Sequence, residues 1–544
     1  MTGRDDGNPA AITPMRLSGV ERLFRQSGLF RWQIRGAPRG LMRAGLQDPW
    51  LGDAQAGARM AAGQIVPNRD DSDTARFDWL GDLRAEGGDT ARMKARELIT
   101  RWIAENQNWQ LPGWRPDIMG QRLARLALNF GWYGVSADEG FQRTLAESVE
   151  MQLRCLAIDW RRMRRLDDQI GALRGIALAE AAMGADAARL DALVDILMPK
   201  LTAATLPDGG HVSRMPDRHI LLLRQLVEIR MATSLAGADG AALAERIDQM
   251  GGLVRMWRHG DGRIAHFNGA GRLSPGIVEE TLARAGTRSK TMQQAPYSGF
   301  LRIGSGRTVV IMDAGAPANA ANGAANGAAN GAADGTVTGL GTLGFEMSVG
   351  PTQLIVNSGQ MMADPTLCRV MCSTAAHSTL GLDNQNSSRL QDSRIAAVSG
   401  VEVGEAPAGL LAVASHDGFE TSHGILHHRK LYLRTGGANL RGADTLEYTG
   451  APGEIPNLAY VRFHLHPRVT AAPLPNGTVL MKVRGSRVGW TFKASGGTIE
   501  VDNSVYFEDG LRQASQQIIV KAMVSDIRTT GAHEIKWAFI RSAQ

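Results

Sequence analysis

The segment Asp208-Gly-Gly-His211-Val-Ser-Arg214-Met-Pro216 sets an imidazole and a guanidinium three residues apart, between a Gly-Gly turn and a proline. On a turn that leads into a helix, both side chains can face one cavity. The guanidinium then grips an anionic group while the imidazole moves a proton. Chemistry on an acidic sugar needs that combination. The same residues also suit a surface turn with two solvated polar groups, and the motif alone does not separate the two.

Other candidate groups are scattered. Val461-Arg-Phe-His-Leu-His466 alternates cleanly, so Val461, Phe463 and Leu465 share one strand face and Arg462, His464 and His466 the other. Two histidines at that spacing can bind a metal from one strand; the plainer expectation is the wet face of a sheet. Cys155, Cys368 and Cys372 are too sparse and odd in number for a disulfide framework, and the last two lack a second pair for a zinc knuckle. Arg161-Arg-Met-Arg-Arg165 closes a helical stretch, where cations interact favourably with the helix C-terminus.

The elements that must position these groups fall into a helical part and a β part. Leu145, Val149, Leu153, Leu156 and Trp160 recur at intervals of three and four, one apolar helical stripe. Leu190, Leu193 and Leu197 repeat it, as do Leu222, Leu226 and Ile229. Pro112-Gly113, Gly134, Gly171 and Pro207 read as punctuation between helices. Trp79, Trp102, Trp109, Trp114, Trp132 and Trp160 read as helix-packing core, with some free to stack on sugars. From about residue 296 the texture changes to short β-type runs such as Arg307 to Asp313, Gln353 to Asn357 and Lys430 to Arg434. An Asn-Gly-Ala-Ala repeat within 319–338 matches neither helix nor strand period, and is expected to form an expanded loop between two strands.

At 544 residues the chain exceeds what one core normally organises, so two or three domains are expected. Its net charge of +6 is mild over that length and suits a polyanionic partner. A nucleic-acid reader would need a concentrated basic stripe with interleaved aromatics, so nucleic acid is not an expected partner. The polar start, Met1-Thr-Gly-Arg-Asp-Asp, shows no export signal, and no apolar run is long enough for a transmembrane segment. Taken literally, the chain stays in the cytoplasm or leaves by a route the sequence does not show.

A series of markers runs from Phe77 to Tyr506: Phe77-Asp-Trp-Leu80; Trp114-Arg-Pro-Asp117 with Arg122; the His211 segment; His259-Gly-Asp-Gly262 with Phe267-Asn-Gly269. Ser298-Gly-Phe-Leu-Arg302, Phe345-Glu346, Thr374-Ala-Ala-His-Ser-Thr379, Leu440-Arg-Gly-Ala-Asp444 and Phe463-His-Leu-His-Pro467 follow in order. In this order they resemble the heparinase II/III superfamily of polysaccharide lyases, close to members of unassigned substrate. The resemblance implies an N-terminal incomplete (α/α) toroid followed by a C-terminal antiparallel β-sandwich, with the active cleft between them. The expected divisions are a partly helical arm at 1–76, the toroid at 77–295 and the sandwich at 296–544.

The resemblance also implies β-elimination on a uronic-acid polysaccharide, in which a carboxylate is neutralised, a base removes the adjacent proton and an acid protonates the leaving oxygen. His211 matches the base or acid, Arg214 the carboxylate clamp, and Tyr297 is a candidate phenol; His266 and Asn268 join Arg214 as substrate-binding candidates. A structural zinc ion (Zn2+) would be held by His377, Asp392 and His427, with a catalytic role for His377 as the competing reading. Two departures stand out. Phe267 occupies the region where a catalytic tyrosine is expected, and Ala375 stands where relatives carry a histidine. Two readings follow: a lyase acting on an acidic polysaccharide, or a non-catalytic glycan-binding or cell-envelope protein on the same fold. Relatives usually work in the cell envelope or periplasm, against the cytoplasmic expectation from the N-terminus.

Overall fold

The apolar positions at three- and four-residue spacing become the buried stripes of a long series of helices. The computed structural model describes residues 17–36, 39–65, 72, 74–270, 273–318, 339–359, 365–383, 385–388, 395–450, 453–486, 488–508 and 511–542. The Asn-Gly-Ala-Ala repeat and Asp392 lie outside the described residues.

Three eight-residue helices, α1 (Gly19–Gln26), α2 (Gly28–Arg35) and α3 (Ala54–Ala61), come first. They are followed by α4 (Trp79–Glu86), α5 (Gly88–Glu105), α6 (Pro116–Tyr133), α7 (Glu139–Asp159), α8 (Leu166–Ala182) and α9 (Ala187–Ala204). Then come α10 (Pro216–Ala236), α11 (Ala241–Trp257) and α12 (Pro275–Ala285). Chain contacts group Ile12–Ala204 with Leu222–Ile247, and Thr205–Leu221 with Asp248–Gln544. The His211 segment therefore belongs with the β part of the chain, although helices flank it in sequence.

In the helical unit, α7 shows how local rules and packing agree. Asp138 caps its first turn by accepting from Phe141 N at 2.9 Å, and Leu145, Val149 and Leu156 on its stripe are fully buried. Helix α6 packs on α8 through glycines: a Cβ at Gly175 would lie 2.2 Å from the Gly120 carbonyl oxygen. Gly171, read above as a break, lies inside α8 for a related reason, its carbonyl standing 3.1 Å from where a Cβ on Gly120 would be. Trp79, Trp109, Trp114 and Trp160 are buried, as the core reading requires.

In the other unit, seventeen described strands make two antiparallel sheets. The first has the order β1 (Gln294–Ala295), β2 (Phe300–Ser305), β3 (Thr308–Asp313), β4 (Phe345–Val349), β5 (Thr352–Val356), β11 (Leu458–Leu465), β16 (Leu511–Met523) and β15 (Thr498–Glu508), with β6 (Leu380–Leu382) on β11. The second runs β12 (Val469–Pro473), β13 (Val479–Val483), β14 (Gly489–Ser495), β17 (Ala532–Arg541), β10 (Asn439–Tyr448), β9 (Ile425–Arg434), β8 (Gly409–Phe419) and β7 (Val398–Ala406). An apolar core joins the sheets, with the Phe345 and Trp537 rings stacked at 5.4 Å.

Strand β11 follows its alternation, with Val461, Phe463 and Leu465 fully buried. Its opposite face is not wet at His464, which is also buried. That imidazole donates from Nε2 to the Ala375 carbonyl at 3.0 Å, and its Nδ1 pairs with Ser504 Oγ at 2.8 Å. The loop before β6 and strand β15 cover it. Among the described residues, no helix is long and apolar enough to cross a membrane.

Candidate functional site

The turn that carries His211 is built by its neighbours. Leu206 N donates to Gly210 O at 2.6 Å, closing a loop in which Gly209 has φ of 86°. A side chain at 210 would meet Ser298 Oγ at 1.8 Å, so glycine is required there. The Asp208 carboxylate accepts from the backbone N–H groups of Tyr297 (2.9 Å) and Ser298 (2.6 Å) and from Ser298 Oγ (2.7 Å). Asp208 thus ties the 208–216 turn to the loop before β2 and brings Tyr297 into the same neighbourhood. The Tyr297 side chain is itself largely exposed.

His211 is buried, and its Nδ1 accepts from Ser213 N at 3.1 Å beside Ser213 Oγ at 2.7 Å. A neutral ring held this way carries its proton on Nε2. Arg214 has a different fate from the expected carboxylate clamp. Its backbone is left-handed, with φ of 55°, and its guanidinium donates to the carbonyls of Ser298 (2.7 Å), Gly299 (3.4 Å) and Ala316 and to the Asp313 carboxylate. A buried cation so engaged braces the turn against the end of β3; it has little left to offer a substrate carboxylate. Asn268 completes the brace, donating to Arg214 O (3.2 Å) and to the other Asp313 oxygen (3.0 Å).

Glu346 organises a second cluster. It accepts from His259 Nε2 (3.0 Å), His266 N (3.1 Å), and the backbone and side-chain amides of Asn357 (2.9 and 3.0 Å). Burial would raise its pKa, but the His259 hydrogen bond and nearby positive charge outweigh that and hold it below the usual range. The His266 ring stacks on Tyr506 at 5.2 Å and 17°, leaving a buried Nδ1 with no protein partner. Such an atom is costly unless a water or ligand group completes it. Phe267 is buried against Phe300 and supplies no phenol.

Of the predicted zinc residues, Asp392 lies outside the described residues, and His377 and His427 sit in separate hydrogen-bond networks. His377 Nδ1 donates to Ser373 O at 2.8 Å, and its ring lies beside Gly339, which also abuts Asn268. Burial lowers its pKa and keeps it neutral. His427 sits in another network: Gly418 N donates to His416 Nδ1 (3.0 Å), His416 Nε2 to His427 Nδ1 (3.0 Å), and His427 Nε2 to Asp444 (2.8 Å). Arg429 and Trp537 also donate to Asp444, at 2.7 and 2.8 Å. Both nitrogens of His427 are engaged, so its donor set does not fit a metal ligand. Among the described residues, no group of three or more His, Cys, Asp or Glu side chains is placed to hold a metal ion.

Sequence reasoning gave no role to Asp313, Tyr506 or the Asp444 network. Asp313 had a visible signal, a carboxylate ending the apolar run of β3.

A separate feature lies in the helical unit. Arg25, on α1, is buried and holds Asp159 at the end of α7 through two hydrogen bonds of 2.6 Å. With its charge facing inward, α1 turns Val20 and Leu23 outward at 79% and 70% exposure, and α2 adds Leu29 and Trp32 at 70% and 80%. On α1 the usual amphipathic arrangement of a surface helix is inverted, while α2 buries Phe30 and Ile34 and still leaves Leu29 and Trp32 outward.

Residues 287–538 match the family described as Heparinase II/III-like, C-terminal. The fold is similar to a heparinase III structure (12% identity, TM-score 0.67, 92% of this chain and 87% of that one). It is also similar to heparan sulfate lyase HepC from Pedobacter heparinus (12%, 0.61, 95% and 87%). A curated relative is FtsZ-localized protein C of Caulobacter vibrioides, 28% identical over 98% of this chain and 96% of that protein. Residues 287–538 thus match a heparinase II/III-like C-terminal domain, and the fold of the chain, a helical N-terminal region followed by antiparallel β-sheets, is that of the heparinase III structures.

Proposed function

We propose that this protein works on a membrane surface as an FtsZ-associated protein, keeping a lyase-like fold without using it for polysaccharide turnover. The observation that carries the reading is the outward apolar face of α1 and α2, where Val20, Leu23, Leu29 and Trp32 stand exposed among arginines. Helices with Trp, Leu and Phe on one side and cations beside them lie in the interfacial plane of a bilayer. Support for FtsZ as partner comes from the name of the relative that matches along nearly the whole chain. Support for the loss of turnover comes from Arg214, spent on internal acceptors, and from Phe267 and Ala375.

The reading is tested by adding purified FtsZ filaments to lipid vesicles with and without this protein. Filaments should gather on vesicles only when the protein is present. Filaments that remain in solution in both cases contradict it.

A second reading, a lyase acting on an acidic polysaccharide, is favoured by His211, whose Nδ1 is fixed so that Nε2 bears a transferable proton. Ultraviolet absorbance from unsaturated uronate, generated on any uronate polymer and lost in His211→Ala, would establish it.

A further inference from the structure

We infer that the membrane this protein meets is an anionic one, selected by the arginine run Arg161 to Arg165; the inference rests on the membrane reading above and adds the lipid class. The run follows Asp159 with only Trp160 between them, and Asp159 is the residue that pins Arg25, so the run lies beside α1. Arg162 pairs with Glu21 of α1, closing the same contact from the other side. Glu21 is the single acid between Gly19 and Arg35, a stretch with four arginines, and Arg25 and Arg162 both contact it. The one acid of α1 and α2 is therefore matched by arginines.

Two members of the run point to a ligand outside the protein. Arg161 is exposed and lies over the Trp160 ring at 4.4 Å, with Lys200 5.1 Å from the same ring. Arg164 is exposed as well. A helix C-terminus accounts for a cation or two, but not for a row of them beside an outward apolar face. Lipid phosphates offer that row its counter-charge, and apolar insertion by Leu23 and Trp32 brings the arginines to headgroup level. Each cation near an anionic leaflet contributes roughly five-fold in binding, fading within a Debye length of about 8–10 Å at ordinary salt.

The test measures binding of the full chain to vesicles of phosphatidylcholine alone and of phosphatidylcholine with phosphatidylglycerol. Affinity should be roughly ten-fold or more higher for the anionic vesicles and fall with added salt. The Arg161→Glu, Arg164→Glu double variant should lose that preference while its thermal unfolding matches the wild type. Equal affinity for both vesicle types, or an unchanged preference in the double variant, overturns the lipid class and leaves the membrane reading standing. Binding to neither vesicle type overturns both. If the double variant unfolds early, Arg161→Gln with Arg164→Gln decides in its place, by the same loss of preference.

Discussion

Arg25 and Asp159 meet through two hydrogen bonds of 2.6 Å, and this buried pair decides which side of α1 faces solvent. Burial works against the charge on Arg25, but Asp159 outweighs it and raises the guanidinium pKa above its ordinary value. With the charge locked inward, the apolar residues of an eight-residue helix have no inward place left. Removing one partner leaves the other charged and buried, which costs roughly 3–5 kcal/mol. Asp159→Ala should show that loss in denaturant unfolding; a change below about 1 kcal/mol would mean that the pair does not set the helix orientation.

Arg214 and Asp313 form the corresponding brace in the β-containing unit. Arg214→Ala should lower stability by a similar amount, roughly 3–5 kcal/mol, because Asp313 loses its buried counter-ion. Thermal unfolding is the measurement. Unchanged stability together with lost binding of uronate polymers would return Arg214 to the role of a substrate clamp.

The α6–α8 contact is set by the absence of side chains. A Cβ at 175 would stand 2.2 Å from the Gly120 carbonyl oxygen and 2.6 Å from its Cα, both backbone atoms that cannot swing away. Gly175→Ala should destabilise the helical unit by at least about 1–3 kcal/mol, read from its unfolding midpoint. A neutral result would mean that the helices separate at no cost.

Acid stability should depend on buried neutral histidines. Burial lowers the pKa of His219 to about 4 and of His464 to about 3. Below the unfolded value of about 6.5 the unfolded chain takes up protons that the folded chain refuses, so stability present above that pH is lost as pH falls toward those folded values. Each group accounts for roughly 2–3 kcal/mol at about pH 4.5. His377, His416 and His427 shift in the same direction. His464→Gln should therefore flatten the acid limb of a stability–pH curve, and an unchanged slope would contradict the buried neutral state.

Local pattern was legible in the sequence wherever burial follows periodicity. The α7 stripe and the β11 alternation both appear as written, because one face of each element meets a core. The turn at 208–216 was legible too, since the positive φ of Gly209 and the bond from Leu206 N to Gly210 O act over a few residues. The role of Arg214 was not: its partner Asp313 lies 99 residues away, and nothing local distinguishes a brace from a clamp. His464 read as wet because period-two alternation does not reveal that the 373–376 loop and β15 cover the second face. The inversion of α1 depended on Asp159, 134 residues from Arg25, and escaped any reading that puts arginines outside and leucines inside.

The most direct measurement is flotation of the full chain with anionic lipid vesicles through a density gradient. The wild type should rise with the vesicles, and a Leu23→Ser, Trp32→Ser variant with wild-type thermal unfolding should stay at the bottom. If the wild type stays at the bottom, or if the variant rises equally well, α1 and α2 are not a membrane-docking face.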